Sequence, residues 1–274
     1  MGRYFVMEDK IALHGFNNLT KSLSFNIYDI CYTQRPAERE EFLAYTNEMC
    51  SAQKLETILS DVCNIIGAHV LSVSTQDYDP MGASATFLIA EEPVSCPATL
   101  KRPEQTKLKS NNPFLVAHLD KSHLAAHTYP EGSSKTGVST FRVDIDIATC
   151  GHISPLKALN YLLHAFDSDV VSVDYRVRGF TRDVRGRKHF IDHKIYSIQE
   201  FIAPDILQRY QTVDINVYQE NLFHTKMLLK DVKLSDYLFG MKDENWSETE
   251  RRRVTTLLHQ EMTEIFYGKN IFHA

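Results

Sequence analysis

Phe141-Arg142-Val143-Asp144-Ile145-Asp146-Ile147 alternates apolar and charged residues without a break. Alternation of period two puts the apolar side chains on one face of a strand and the charged ones on the other. That is the pattern of a sheet covered on one side. Working outward, the segments 23–32, 69–78, 84–90, 124–129, 170–177 and 212–218 are read as further strands from their β-branched and aromatic content. Pro36 opens a helix through about Gln53, and a second runs from Leu55 to Ile66, where Gly67 stops it. Ser154-Pro155 starts a helix whose buried face is Leu156, Leu159, Leu162, Leu163 and Phe166. A short helix follows from Pro204 to Tyr210. The last runs from about Ser247 to Tyr267, and Ser247-Glu248-Thr249-Glu250 at its start has capping-box spacing. Helices and strands mix without regular βαβ alternation, so the expected class is α+β, a largely antiparallel sheet packed against helices.

The 274 residues suffice for one large domain or two small ones, and 43% hydrophobic with 24% charged residues excludes wholesale disorder. Thirty Lys and Arg against 35 acids give a net charge of -5, which argues against a general nucleic-acid or anionic-membrane binder. No apolar run reaches bilayer length. Met1-Gly2-Arg3-Tyr4-Phe5-Val6 lacks a signal-peptide core, and Val6 lacks the hydroxyl of a myristoylation signal. Five cysteines, an odd number, read as reduced thiols, so a cytoplasmic protein is expected. Residues 93–114, with Pro93, Pro97, Pro103 and Pro113 in a polar filling, read as a solvated loop.

His118, His123 and His127 cluster around Asp120. Zinc needs three or four converging ligands, and a strand would hold these apart. His189 and His193, flanking Asp192, read as polar surface residues. Ser122 stands between Lys121 and His123, with His127 five residues on and Cys150 beyond the next strand. A serine hydroxyl needs a base to become nucleophilic, and histidine supplies one near neutral pH. Spacing alone leaves open an ordinary strand carrying Ser and His, and a lone thiol such as Cys150 is more often an inert core residue. Neither a P-loop nor a dinucleotide fingerprint is present.

Lys121-Ser122-His123-Leu124-Ala125-Ala126-His127-Thr128-Tyr129-Pro130-Glu131, then Thr149-Cys150-Gly151 and the Pro155-Leu156-Lys157-Ala158 helix start, resembles pyruvoyl-dependent S-adenosylmethionine decarboxylase in its long bacterial form. His14-Gly15-Phe16-Asn17-Asn18-Leu19-Thr20-Lys21, Tyr175 to Asp183 and Tyr218 to Met227 extend the resemblance over nearly the whole chain, with a compact family core at about residues 55–183. The resemblance implies a single domain, 1–274, made as a proenzyme that cuts itself between Lys121 and Ser122 into 1–121 (beta chain) and 122–274 (alpha chain). By resemblance, Ser122 becomes a pyruvoyl group that forms a Schiff base with S-adenosylmethionine. His127 is the processing base and Cys150 the proton donor. Ser84 resembles a processing serine and Glu131 a substrate-site acid. The implied product is decarboxylated S-adenosylmethionine, the aminopropyl donor for spermidine. The resemblance also implies a homo-oligomer of cleaved protomers and activation by magnesium, for which the sequence assigns no ligands. Lys121 stands where short-form and eukaryotic relatives usually have Glu, and the 93–114 segment is absent from the compact core. Two rival readings use the same fold: a pyruvoyl-dependent decarboxylase of ornithine or arginine, and an uncleaved regulatory binding protein.

Overall fold

The computed structural model describes residues 10–13, 17–79, 81–91, 122–132, 136–239, 241 and 246–271. In chain order the elements are β1 (Thr20–Tyr32), α1 (Pro36–Met49), α2 (Ala52–Ile66), β2 (His69–Asp77), β3 (Ala83–Ala90), β4 (Ser122–Gly132), β5 (Val138–Cys150), α3 (Leu159–Phe166), β6 (Val170–Arg178), β7 (Thr181–Arg182), β8 (Lys188–His189), α4 (Pro204–Arg209), β9 (Tyr210–Asp214), β10 (Leu222–Leu229) and α5 (Glu248–Tyr267). Eight strands form one sheet in the order β2-β3-β4-β5-β1-β6-β10-β9, each pair antiparallel. This is the expected α+β architecture. Among the described residues no helix is long and apolar enough to cross a membrane.

The alternation in β5 explains the layering. Phe141, Val143, Ile145 and Ile147 are all buried, with Leu23, Phe25 and Ile27 of β1 and Val171, Val173, Tyr175 and Val177 of β6 on the same face. Helices α1 to α4 cover that face, α2 through Leu55, Leu59 and Val62 and α3 through Leu159 and Leu162. Each such aliphatic or aromatic side chain contributes roughly 1.5–3 kcal/mol on burial. Among the described residues, the opposite face is covered at one end only. There α5 lays Val254, Leu258, Met262 and Phe266 against Ile30, Tyr32, Val138 and Val170. Elsewhere this second face is polar: Asn26 donates to Asp144 at 2.6 Å, Arg142 pairs with Asp144 at 3.1 Å, and His224 meets Asp174 at 2.7 Å.

Several boundaries differ from expectation. The helix expected to reach Gln53 stops at Met49, and α2 begins at Ala52, whose N–H is held by the Asp77 carboxylate from the end of β2 at 2.7 Å. The strand expected over 212–218 is β9, ending at Asp214, because Asn216 Oδ1 takes the His224 N–H and interrupts the ladder. The Pro155 helix begins as a 3-10 turn, Pro155–Ala158, before α3. β10 is an addition; its inward Thr225 breaks the apolar alternation of Phe223 and Met227. Helix α5 begins as expected, with Ser247 Oγ accepting the Glu250 N–H at 3.2 Å. The 93–114 segment, His118, Asp120 and Lys121 lie outside the described residues.

Two carboxyl groups sit under the α5 end of the sheet. Burial, then the neighbouring Asp169, pushes Asp29 up to about 8. Burial likewise pushes Asp169 up to about 6, although it accepts the Tyr237 hydroxyl at 2.6 Å and the Ile30 N–H at 2.8 Å. Between about pH 4 and its folded pKa of about 8, Asp29 holds a proton that the unfolded chain has released. The unfolded state then binds fewer protons, so stability falls as pH rises through that window. Asp29→Asn stays neutral, and its melting temperature should decline less than the parent's between pH 5 and pH 8.5. Parallel melting curves across that range would contradict the assignment.

Candidate active site

Ser122 opens β4 and Cys150 closes β5, so antiparallel pairing delivers both to one end of the sheet. The paired register runs from Gly132↔Ser139 up to His123↔Ala148, one residue short of Ser122 and two short of Cys150. There the Cys150 backbone N–H donates to Ser122 Oγ at 3.0 Å. Cys150 pairs in turn with Thr20 of β1, whose Oγ1 lies 4.0 Å from the thiol. Ser122 is buried, while Cys150 is exposed on the polar sheet face. The inert-core reading of Cys150 is therefore corrected: strand parity turns its side chain away from the helices. Burial does hold the other described cysteines as thiols, pushing Cys31 and Cys50 up to about 12 and Cys63 to about 11.

The turn after Cys150 is fixed from several sides. Gly151 has φ +69°, and a side chain there would run into the Glu91 carboxylate. Glu91 Oε1 accepts the His152 N–H at 2.9 Å. The Gly151 N–H reaches Leu19 O at 3.3 Å, and its carbonyl accepts Asn17 Nδ2 at 2.9 Å and Lys21 Nζ at 3.0 Å. Asn17 and Lys21 also share Asp192 Oδ2, at 2.7 and 2.8 Å. The other oxygen of Asp192 meets His193 Nδ1 at 2.8 Å, and His193 Nε2 lies 3.4 Å from the Tyr175 hydroxyl.

Asp192 and His193 were expected on the surface; both are 3% exposed, which corrects that reading. Lys21 opposite them supplies the countercharge that allows the burial. Burial alone would raise the Asp192 pKa, but the bonds from His193, Lys21 and Asn17 outweigh it and hold the carboxyl well below the usual range. His189 is the more exposed of the expected pair and bonds Asp183 at 3.0 Å.

His127 lies five residues beyond Ser122 on β4. At about 3.3 Å per residue that is roughly 17 Å, and an odd step turns its side chain to the other face. There it pairs with Ser84 of β3 and Asp144 of β5. The chain thus brings Ser122 to Cys150, and Ser84 to His127, but does not bring the two pairs together. Glu131, further along β4, is exposed and close enough to α5 that, after burial and Glu264, it helps raise the Glu261 pKa. His123 and His127 share a face but are about 13 Å apart at strand spacing. Among the described residues no group of three or more His, Cys, Asp or Glu could hold a metal ion.

Asn17, Lys21, Glu91, Asp192 and His193 were not singled out for this site. One signal was readable: Lys21 falls in step with the buried Leu23, Phe25 and Ile27, and a lysine there demands a buried acid. Its partner lies 171 residues away, beyond the reach of any local pattern.

Residues 41–179 match the family described as S-adenosylmethionine decarboxylase. Over 269 residues the chain is 56% identical to an S-adenosylmethionine decarboxylase proenzyme of Alkaliphilus metalliredigens, covering 96% of this chain and 97% of the relative. This chain belongs to the S-adenosylmethionine decarboxylase family. Proenzymes of the same name from Pseudomonas paraeruginosa and Azotobacter vinelandii are 56% and 57% identical over 271 residues, each covering 97% of this chain and 100% of the relative.

Within this decarboxylase-family chain the thiols differ sharply in access. Limited iodoacetamide treatment of the native protein should label Cys150 ahead of Cys31, Cys50 and Cys63, read by peptide mass spectrometry. Uniform labelling of the four would contradict the placement.

Proposed function

We propose that this chain is a self-processing proenzyme that cuts itself between Lys121 and Ser122, giving 1–121 and a pyruvoyl-bearing 122–274. It is a decarboxylase of S-adenosylmethionine, and its product carries the aminopropyl group used in spermidine synthesis. The observation that carries the reading is the Ser122–Cys150 junction, in a chain more than half identical, over nearly its full length, to proenzymes of that name.

In processing, Ser122 Oγ attacks the Lys121 carbonyl carbon, and the peptide C–N bond breaks as an ester C–O bond forms. The Cys150 N–H, already on Ser122 Oγ, orients the hydroxyl. A base then removes the Ser122 α-proton and the Lys121 carboxylate departs. The dehydroalanine left behind tautomerises, takes up water and loses ammonia, which leaves the pyruvoyl end. Ser122 would hold that group at the start of β4, where its ketone would supply a site for the α-amine of the substrate and an acceptor for the electron pair released with carbon dioxide. Cys150, exposed at the same strand end, returns a proton to the substrate α-carbon. Ser84 and Glu131 are assigned as secondary processing and substrate-site residues. The described residues gather no magnesium ligand set, and no step here runs through that ion.

His127 is the assigned base for the α-proton, yet roughly 17 Å of strand separates it from Ser122 in its own chain. A second copy solves the geometry. Two polar sheet faces meeting about a two-fold axis would set the Ser84–His127 pair of one copy against the Cys150 thiol of the other, at the strand end that carries the Ser122 backbone. The homo-oligomer is then part of the catalytic apparatus.

Intact-mass analysis of purified protein should find two chains of about 14 and about 18 kDa, in proportion to residue counts of 121 and 153, the larger with a blocked N-terminus. Ser122→Ala should remain one 31.5 kDa chain. An uncut parent after long incubation would end the proposal.

The shared site has its own test. His127→Ala alone should stall at the ester, staying full-length until hydroxylamine splits it before Ser122. Co-expressed with Ser122→Ala, which still carries His127, the His127→Ala chain should be processed inside the mixed oligomer. Processing of His127→Ala by itself would remove His127 from the role, and a stall that persists in the mixture would remove the second copy.

A further inference from the structure

The polar cluster beneath the Cys150–Gly151 turn has no part in the chemistry above. Lys21 is completely buried on the helix-covered face of β1, with both Nζ contacts spent on Asp192 and the Gly151 carbonyl. Burying two charges costs several kcal/mol each before their attraction offsets it, and apolar residues of similar size often serve stability as well. Stability is therefore a poor account of this pair. What distinguishes it is where its donors end: Lys21 Nζ and Asn17 Nδ2 converge on one carbonyl, that of Gly151. Asp192 receives both donors and is held in turn by His193.

Gly151 is the residue least able to hold its own peptide plane. Its φ of +69° lies where glycine moves freely, and the peptide beyond it could rotate at little steric cost. Two donors on its carbonyl, with the His152 N–H on Glu91, fix that plane. The plane sets where Cys150 ends, and Cys150 does two jobs: its N–H holds Ser122 Oγ and its thiol faces the open side of the sheet.

We infer that Lys21 and Asp192, with Asn17 and His193, are positioning residues that clamp the Gly151 carbonyl and thereby hold the Cys150 thiol in line with the substrate α-carbon. The inference rests on the reading of Ser122 as pyruvoyl precursor and Cys150 as proton donor. A misplaced thiol lets the proton go to the carbon derived from the pyruvoyl group instead. Hydrolysis then leaves the amine on the enzyme, as an N-terminal alanine, and an aldehyde on the substrate, which inactivates that chain.

The test compares the parent with Lys21→Met/Asp192→Asn, which removes both charges and keeps the volumes. Melting temperature, self-cleavage, kcat, KM and turnovers per inactivated chain are measured, the last from the intact mass of the 122–274 chain. The double variant should fold, with a melting temperature within a few degrees of the parent, and should still cleave. Its kcat should fall by about 10- to 100-fold, as for a displaced catalytic group. Its KM should stay within about twofold, and turnovers per inactivation should drop at least about tenfold, on the same reasoning. Should the double variant not fold, Asn17→Ala removes one donor from Gly151 and is read the same way. Parental kcat and inactivation ratio in a folded variant would overturn the inference. Cys150→Ala runs alongside: a parental inactivation ratio there would sink the proton-donor reading and this inference with it. An altered ratio in Cys150→Ala beside parental values in the clamp variants would sink the clamp alone.

Discussion

Antiparallel pairing of β4 with β5 is the constraint from which the rest of the site follows. In an antiparallel pair the start of one strand meets the end of the other, and one further step of the register sets Ser122 opposite Thr149 and beside Cys150, so the two adjoin without any loop having to fold over them. The connection back to β1 then places Thr20 beside Cys150, and behind it the loop that carries Asn17. Side-chain alternation along the same strands decides what each residue sees. Even-numbered β5 positions look onto the polar face and odd-numbered ones into the helix-packed core. A shift of one residue in the β4–β5 register would exchange the two sets, burying Asp144 and exposing Ile145.

Reactive and inert groups of the same type are separated by position in this fold. Cys31 and Cys63 lie among helix-covered apolar residues, which keep their thiols protonated. Cys150 has the same side chain at a strand end on the uncovered face. Carboxylates divide in the same manner. Asp192 stays charged in the interior because an ammonium, an amide and an imidazole surround it, whereas Asp29 is driven toward its neutral form by burial and then by a second carboxylate beside it.

Much of the fold was legible because its signals are local. The β5 alternation, the Leu55-to-Ile66 stripe closed by Gly67, and the Ser247 cap each depend on residues within a few positions of one another. β10 was missed because Thr225 points inward, where it satisfies Asp214 rather than packing against an apolar neighbour. For the candidate site, Ser122, His127 and Cys150 stood out through the family motif. Spacing alone left them indistinguishable from an ordinary strand, and it hid that Ser122 and His127 face apart. Asp192 and His193 resembled surface residues because the lysine that draws them inward comes from the first strand.

The position of β1 carries a consequence for the life of the protein after the proposed cut. β1 belongs to the piece ending at residue 121, yet it is wedged between β5 and β6 of the other piece, paired with β5 along its whole length and with β6 from Thr20 to Tyr28. The two daughter chains are therefore interlocked, and neither can leave without dismantling the middle of the sheet. Before the cut, β1 finds its slot as part of the same molecule. Afterwards that advantage of tethering is gone, and a denatured enzyme would have to reassemble from two separate polypeptides at their bulk concentration. The mature protein is in this sense a one-way product, preserved by the height of its unfolding barrier rather than by an ability to refold.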